Sequence, residues 1–232
     1  MNEYTVPTNM ALIKCYKEKG LSYTVCLAKK LLETQYRKHE DGGIISGVHG
    51  EVAETILELM LVEYCKQRNI PRFHIAKSLI VTIGDYTTEM DLVFITPAVI
   101  AVFECKCYSG DKIIVDKGTI KREGHADFDV YDQNIKHIRA LHAHIKNYLL
   151  HGASYPYMSS YFRFDTGTVN DLRRNNDKSK FPITDINNLF ELLDKYSEGK
   201  PCWRWDLINV IKKFEKSHKQ LEERHLKQVG AK

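Results

Sequence analysis

The stretch 90–107, MDLVFITPAVIAVFECKC, decides the fold. It is apolar from Leu92 to Phe103 except for a Thr-Pro pair, and acids border it at Asp91 and Glu104. A membrane-spanning helix needs about 20 apolar residues, so this shorter run does not cross a bilayer. The turn signal Thr96-Pro97-Ala98 near its centre predicts two buried strands joined as an antiparallel hairpin.

The register of this hairpin follows from its turn. A turn with an even residue count, centred on the Pro-Ala pair, gives three cross-strand pairs: Ile95 with Ile100, Val93 with Val102, and Asp91 with Glu104. Alternation then places Glu104 and Lys106 on the face of Asp91. The opposite face is predicted to be apolar and to contain Met90, Leu92, Phe94, Phe103, Cys105 and Cys107. A three-residue turn would bring Asp91 opposite an apolar side chain, which the pattern disfavours.

The charged end of the hairpin suggests a cation site. Two carboxylates facing each other across strands repel, at a cost on the order of 0.2–1 kcal/mol when exposed and more when buried. A divalent cation between Asp91 and Glu104 would remove that cost, and carboxylates with retained waters are what Mg²⁺ and Mn²⁺ prefer. Lys106 could hold a water there and offset charge on a phosphate. The alternative, a Lys–Glu pair on a solvated edge, does not explain why an apolar strand becomes charged at its end.

The elements around the hairpin indicate an α/β protein. Two short helices are predicted within the first 40 residues, followed by a helix over 46–68, a strand over 73–83, the hairpin strands 90–95 and 99–107, a ribbon over 112–122, a helix over 131–150, a strand over 161–164, a polar loop over 166–180, a helix over 185–196 and one charged helix after Trp203. This order is typical of an α/β sandwich with a central mixed sheet flanked by helices.

Together these motifs resemble a nuclease family. Asp91 and the run Glu104-Cys105-Lys106, preceded by a helix with Gly50-Glu51, resemble the PD-(D/E)XK nuclease superfamily and, more closely, its nuclease-related domain, NERD. The resemblance covers roughly 46–165 and includes Tyr108-Ser109-Gly110, a ribbon with Gly118, and Tyr131-Asp132-Gln133-Asn134 opening a helix that continues Lys136-His137-Ile138. One departure is Met90, where the superfamily name has Pro.

The resemblance implies a restriction-endonuclease-like α/β sandwich and a Mg²⁺- or Mn²⁺-dependent deoxyribonuclease. The implied roles are as follows: Asp91, Glu104 and the backbone carbonyl of Cys105 as metal ligands, Lys106 activating or positioning the attacking water, Glu51 reaching the site from its helix, and Gln133 orienting Lys106 or a phosphate. The implied reaction is in-line displacement at phosphorus, with the metal taking up charge on the phosphoryl oxygens.

Several of these residues also have a simpler explanation. Glu51 could be an early-helix acid favoured by the helix dipole, and Gln133 an ordinary surface amide near a helix start. Glu54 and Glu58 lie on the same side of the helix as Glu51 and are predicted to be solvated rather than ligating.

Histidines and cysteines do not form a zinc pattern. Positions two apart, such as His142 and His144, do not share a helix face, so these and His137 are predicted to be structural or surface histidines. The six cysteines include no CxxC pair, and the N-terminus lacks the apolar core of a signal peptide. Reduced thiols and a cytoplasmic location are therefore predicted.

Composition excludes wholesale disorder and a histone-like polycation. Of 232 residues, 43% are apolar and 28% charged, and 34 Lys and Arg against 30 Asp and Glu leave a formal charge of +4. Positive charge collects in residues 212–232, which is either a solvated helix face or a nucleic-acid contact. The candidate phosphate contacts are Arg122, Arg173, Arg174, Lys212 and Lys213.

The sequence is compatible with three functions. The first is a DNA nuclease with a helical N-terminal appendage (1–43), a NERD-like domain (44–200) and a basic C-terminal helix (201–232). The second is a catalytically silent nucleic-acid-binding or assembly module of the same fold. The third is an adaptor that uses its basic helix. The predicted partner is DNA, with no membrane, and the sequence does not separate DNA from RNA. The sequence also leaves a homodimer open. Since it contains no P-loop, a helicase or ATPase activity would have to come from a partner on another chain.

Overall fold

The computed structural model describes residues 8–39, 46–106, 113–116, 119–122, 127–150, 157–164, 169–172, 174–175, 178, 182–197, 203–204, 206–228 and 230. Its helices are α1 (Thr8–Lys19), α2 (Leu21–His39), α3 (Ser46–Gln67), α4 (Val130–Ile145), α5 (Leu189–Ser197), α6 (Leu207–Lys216) and α7 (His218–Gln228). Its strands are β1 (His74–Ile83), β2 (Tyr86–Ile95), β3 (Ile100–Lys106), β4 (Ile113–Asp116), β5 (Thr119–Arg122), β6 (Phe128–Asp129), β7 (Tyr157–Arg163), β8 (Val169–Asp171) and β9 (Ile183–Thr184).

The strands form a central mixed sheet and a smaller second sheet. The central order is β1-β2-β3-β7-β9, in which β1 to β3 form an antiparallel meander and β3, β7 and β9 run parallel. The second sheet has the order β6-β5-β4-β8. A parallel β3–β7 pair needs a crossover connection, and α4 lies within it.

Helices cover both faces of the central sheet. The first core cluster joins residues of α1, α2, α3 and α5 to one sheet face, where Leu92, Phe94 and Phe103 are fully buried. The second joins α4 and α6 to the other face, where Val93 and Val102 are fully buried. The predicted α/β sandwich is therefore confirmed.

The predicted hairpin register is confirmed as far as the ladder extends. The structure pairs Ile95 with Ile100, Val93 with Val102, and Leu92 with Phe103. The turn is fixed from within, because Thr96 Oγ1 accepts a hydrogen bond from the Val99 amide at 3.2 Å. From outside, Trp203 Nε1 donates to the Thr96 carbonyl at 2.7 Å.

Alternation changes phase where the apolar half of the meander ends. Ser78 of β1 adopts φ 47°, and the β1–β2 ladder omits the Ser78–Asp91 pair while keeping the pairs on either side. Leu92 belongs to the first core cluster but Met90 belongs to the second, so Met90 lies on the other face from the one predicted. The error arose because strict period-2 alternation was carried through a position where both strands are irregular.

Other boundaries also differ from the sequence prediction. The single charged helix predicted after Trp203 is two helices, α6 and α7, separated at Ser217. The polar loop predicted over 166–180 contains β8, and β7 begins earlier than expected.

Helix α7 lies against the β1–β2 hairpin. The Gln228 amide accepts a hydrogen bond from the Thr87 backbone N–H at 2.7 Å and donates to its carbonyl at 2.9 Å. Arg224 Nη2 donates to the Asp85 carbonyl at 2.6 Å. Within the described ranges, no helix is both long and apolar enough to span a membrane.

Candidate active site

The β2–β3 ladder ends at the two predicted acids. Its last pair is Leu92 with Phe103, and the next position in the same register is Asp91 with Glu104. There Asp91 Oδ2 accepts a hydrogen bond from the Cys105 backbone N–H at 2.7 Å. The carboxylate thus takes the place of a strand partner and lies at the peptide that joins Glu104 to Cys105.

Glu104 is a buried acid with a lysine on one oxygen. The residue is 2% exposed, and Lys106 Nζ donates a hydrogen bond to Oε1. Its other oxygen, Oε2, is buried without a hydrogen-bond partner in the described part of the chain. Because a buried carboxylate normally has its lone pairs satisfied, Oε2 points to a missing partner.

The two acids interact strongly. Burial raises the pKa of the Asp91 carboxyl to about 7, and the neighbouring charge of Glu104 acts in the same direction. Lys106 and the Cys105 N–H oppose this effect without cancelling it. A cation at this position would therefore be favoured, since it would remove a repulsion that the described neighbours leave partly uncompensated.

Among the acids of α3, Glu54 is the one whose charge contributes to the raised pKa of Asp91. Burial raises the pKa of Glu54, Lys77 lowers it, and the charges of Glu89 and Glu51 raise it further. The sequence favoured a solvated Glu54, but the structure buries it in part. Its three-residue offset from Glu51 on one helix is the signal that could have indicated it.

Glu51 and Glu58 lie one helical turn before and after Glu54 on α3. Glu51 is half-buried on α3 and interacts electrostatically with Glu54. Glu58 forms an ion pair with Lys77 at 3.2 Å, so it is committed to β1.

Helix α4 contributes a group of buried polar atoms. Gln133 Oε1, both side-chain polar atoms of Asn134, and His137 Nδ1 are buried without hydrogen-bond partners in the described residues. His137 Nδ1 lies 3.8 Å from Glu104 Oε2. Burial lowers the pKa of His137, with Glu104 acting in the opposite direction. The histidine expected to be structural or on the surface is therefore a buried neighbour of the predicted site.

The donor set fits a hard divalent cation in its chemistry. Asp91 and Glu104 supply carboxylate oxygens, and Glu104 Oε2 is buried and unpartnered within the described chain. No cluster of three or more His, Cys, Asp or Glu ligands converges among the described residues. Two carboxylates are nevertheless the usual protein contribution to a Mg²⁺ site, where waters and substrate phosphates complete the shell.

The basic candidates are only partly described. Arg174, Lys212 and Lys213 are exposed. Arg173 and the Arg122 side chain lie outside the described residues, as do Cys107, Tyr108-Ser109-Gly110 and Gly118. A further basic residue, Arg163, is paired with Lys106 across the parallel β3–β7 ladder and is 8% exposed.

Comparison with known families identifies the central segment. Residues 50–161 match the family model described as Nuclease-related domain, NERD. The NERD family predicted from the sequence is thereby confirmed for this segment, which is just under half of the chain. Every predicted acid and Lys106 lie within the NERD segment, as do Gln133 and His137.

Outside this family model, the chain is similar to a solved structure at low sequence identity. No curated protein matches the chain. Among solved structures, protein VC1899 from Vibrio cholerae is similar, with 15% sequence identity and a TM-score of 0.37. The alignment covers 82% of this chain and 49% of that chain, so this chain spans about half the length of its match.

Proposed function

We propose that the protein is a Mg²⁺- or Mn²⁺-dependent nuclease that hydrolyses DNA phosphodiester bonds. The observation that carries the proposal is the placement of the half-buried Asp91 and the buried Glu104 at the end of one hairpin, with Lys106 on Glu104. The NERD match over the same segment supports the reaction class. Two acids that raise each other's proton affinity at a partly buried position are costly to a fold, and a function that needs a cation accounts for them.

Each residue has a role in this proposal. Asp91 and Glu104 hold the cation, with the Cys105 carbonyl and one acid of α3, Glu51 or Glu54, as further candidate ligands. When bound, the cation supplies polarisation of a water and stabilisation of charge on the phosphoryl oxygens.

Two polar residues complete the proposed site. The Lys106 ammonium neutralises developing negative charge and positions the attacking water, and Gln133 orients Lys106 or a phosphate oxygen. Arg174, Lys212 and Lys213 would contact the DNA backbone, where exposed basic side chains bind without reading sequence.

Protonation of Asp91 competes with cation binding. Because burial and the Glu104 charge raise the Asp91 pKa to about 7, the carboxyl is largely neutral in acidic solution. We expect DNA cleavage to increase as the pH rises through about 7, as measured by initial rates at fixed, subsaturating Mn²⁺.

The direct test is DNA cleavage with Mg²⁺, Mn²⁺ or EDTA. Glu104→Gln and Lys106→Ala should each reduce cleavage by at least about 100-fold, since both act on the reacting centre. A matched control is the Glu63–Lys66 pair on α3, whose charged atoms are 4.0 Å apart and which contacts Tyr16 of α1 rather than the strands. Glu63→Gln and Lys66→Ala should cleave at the wild-type rate. Undiminished cleavage by either site variant would reject the assignment.

A silent DNA-binding module of the same fold is the second candidate. It is favoured by the Lys106–Glu104 bond, because an ammonium already neutralises the acid that would bind the cation. Such a module would bind DNA in EDTA as tightly as in Mn²⁺ and would leave supercoiled DNA intact. The nuclease would nick it only with the cation.

A further inference from the structure

We propose that His137 is a positioning residue that holds Glu104 by donating a hydrogen bond from Nδ1–H to Oε2. This inference deepens the proposed function, on which its consequence for cation binding rests. The tautomer of His137 can be tested in the protein without a cation, so that test does not depend on the proposed function.

The two carboxylate oxygens of Glu104 differ in their hydrogen-bond partners. Oε1 accepts from Lys106, whereas Oε2 is buried without a hydrogen-bond partner in the described residues. A carboxylate held by one oxygen can still rotate about its terminal bond. A donor on Oε2 would fix the carboxylate plane, as donors beyond the ligand shell do in metal sites.

His137 has a buried ring nitrogen that lacks a hydrogen-bond partner in the described residues. This nitrogen, Nδ1, lies 3.8 Å from Glu104 Oε2. Both residues are 2% exposed, so water does not compete freely at either atom. The separation exceeds a hydrogen bond by about 1 Å, and bonds in such sites are often long until the site is loaded.

The position of the imidazole hydrogen decides which contact His137 can make. A neutral imidazole carries one N–H, on either Nδ1 or Nε2. With that hydrogen on Nδ1, the ring presents a donor to Oε2. With it on Nε2, two lone pairs would face each other in a buried space, which is unfavourable.

Helix geometry explains why His137 occupies this position. His137 lies four residues after Gln133, so both side chains fall on one stripe of α4. Gln133 Oε1 and His137 Nδ1, both buried without hydrogen-bond partners in the described residues, lie on this stripe. The stripe is therefore a line of polar atoms on a helix face that is otherwise apolar.

The first experiment reads the tautomer in cation-free protein. Two-dimensional ¹⁵N–¹H spectra of histidine-labelled protein, with the His137 signal assigned by its loss in His137→Asn, should show the Nδ1–H tautomer. The Nε2–H tautomer would overturn the proposal. This result does not depend on nuclease activity or on cation binding.

The second experiment measures Mn²⁺ affinity by electron paramagnetic resonance. His137→Leu should weaken binding by about 10- to 100-fold. His137→Asn should stay within about threefold of wild type, because its amide nitrogen takes the place of Nδ1 and can donate to Oε2. Equal affinity of His137→Leu and wild type, or equal weakening by both variants, would contradict the positioning role. If His137→Leu does not fold, His137→Asn and the tautomer decide.

The matched control is His144→Asn on the same helix. His144 Nε2 lies 2.7 Å from the Thr82 carbonyl and its ring contacts Phe214, away from Glu104. This variant should bind Mn²⁺ as wild type does. If wild type and Glu104→Gln bind Mn²⁺ equally, the proposed function fails, while the tautomer still decides the role of His137.

Discussion

The two halves of the β1–β2–β3 meander follow different rules. Near the Thr96 turn, Val93 pairs with Val102 and Ile95 with Ile100, and all four side chains are fully buried. At the other end the ladder stops, the alternation changes phase, and the side chains held in the sheet are acids. One half therefore stabilises the fold, and the other gives up regular pairing to hold charges in position.

The difference shows where this fold can tolerate electrostatic cost. A regular apolar half supplies burial on both faces, at roughly 25 cal/mol per Å² of apolar surface. That stabilisation offsets the repulsion between Asp91 and Glu104 a few residues away. Residues that carry unfavourable local interactions are expected at functional sites.

The largest effect is expected when a charge is placed in the apolar half. Val102→Asp would bury a carboxylate among the apolar side chains of the second core cluster. The free energy of unfolding should fall by roughly 4 kcal/mol or more. The midpoint of thermal unfolding should fall by about 10 °C or more, or the protein should fail to fold. Val102→Ala, which removes volume without adding charge, should lose less. A Val102→Asp protein that unfolds at the wild-type temperature would contradict this comparison.

The next effect removes a charge from the acidic half. The Asp91 pKa is raised from 3.8 to about 7 in the folded protein. Between these pH values the folded protein holds the proton and the unfolded chain has lost it, so the free energy of unfolding of the wild type falls as the pH rises. Asp91→Asn should therefore be the more stable protein above pH 7 without a cation, by up to roughly 4 kcal/mol. Urea unfolding at pH 5 to 8 measures this. An unchanged pH slope in the variant would count against the burial of Asp91.

A smaller effect is expected at the phase change. Ser78 has φ 47°, which costs a residue with a β-carbon about 1–2 kcal/mol and is tolerated best by glycine. Ser78→Gly should retain wild-type stability and Mn²⁺ affinity. Ser78→Val should lose about 1–3 kcal/mol and weaken Mn²⁺ binding, because a branched side chain disfavours this conformation. Identical urea midpoints for the two variants would show that the phase change does not depend on Ser78.

The smallest effect lies outside the meander. Replacing Lys212 and Lys213 by Gln should leave stability unchanged, because both are exposed on α6. If each contacts a phosphate, the slope of log affinity against log salt should decrease in magnitude by about 2. Fluorescence anisotropy with duplex DNA measures the slope, and Lys14→Gln on α1 is the control. A slope equal to wild type would remove this face from the DNA interface.

The sequence predicted the apolar half more completely than the acidic half. An even turn and an unbroken apolar run specify one register, because a slip by one residue would expose the whole face. The phase change was missed, although two adjacent polar residues, Lys77 and Ser78, interrupt the apolar pattern of β1. A positive φ at serine has no composition signal of its own.

The site was predicted as a pair of acids with a lysine, and its helical residues were harder to assign. Glu54 looked solvated because a helix periodicity does not say which neighbouring strand it will meet. The sequence predicts a structural or surface His137 because the histidine spacing excludes a zinc site, whereas its neighbour in the structure is the Glu104 carboxylate. Only the packing of α4 against β3 brings them together.

The Gln228 amide leads to a further consequence. Among the described residues the β2–β3 ladder ends at Leu92 and Phe103, and nearer the start of β2 the Thr87 backbone N–H and carbonyl are both bonded to one glutamine side chain. The amide group thus imitates a short piece of neighbouring strand. Because these backbone groups are already hydrogen-bonded, they cannot pair with a strand of another molecule. The last turn of α7 therefore protects this part of β2 from intermolecular strand pairing.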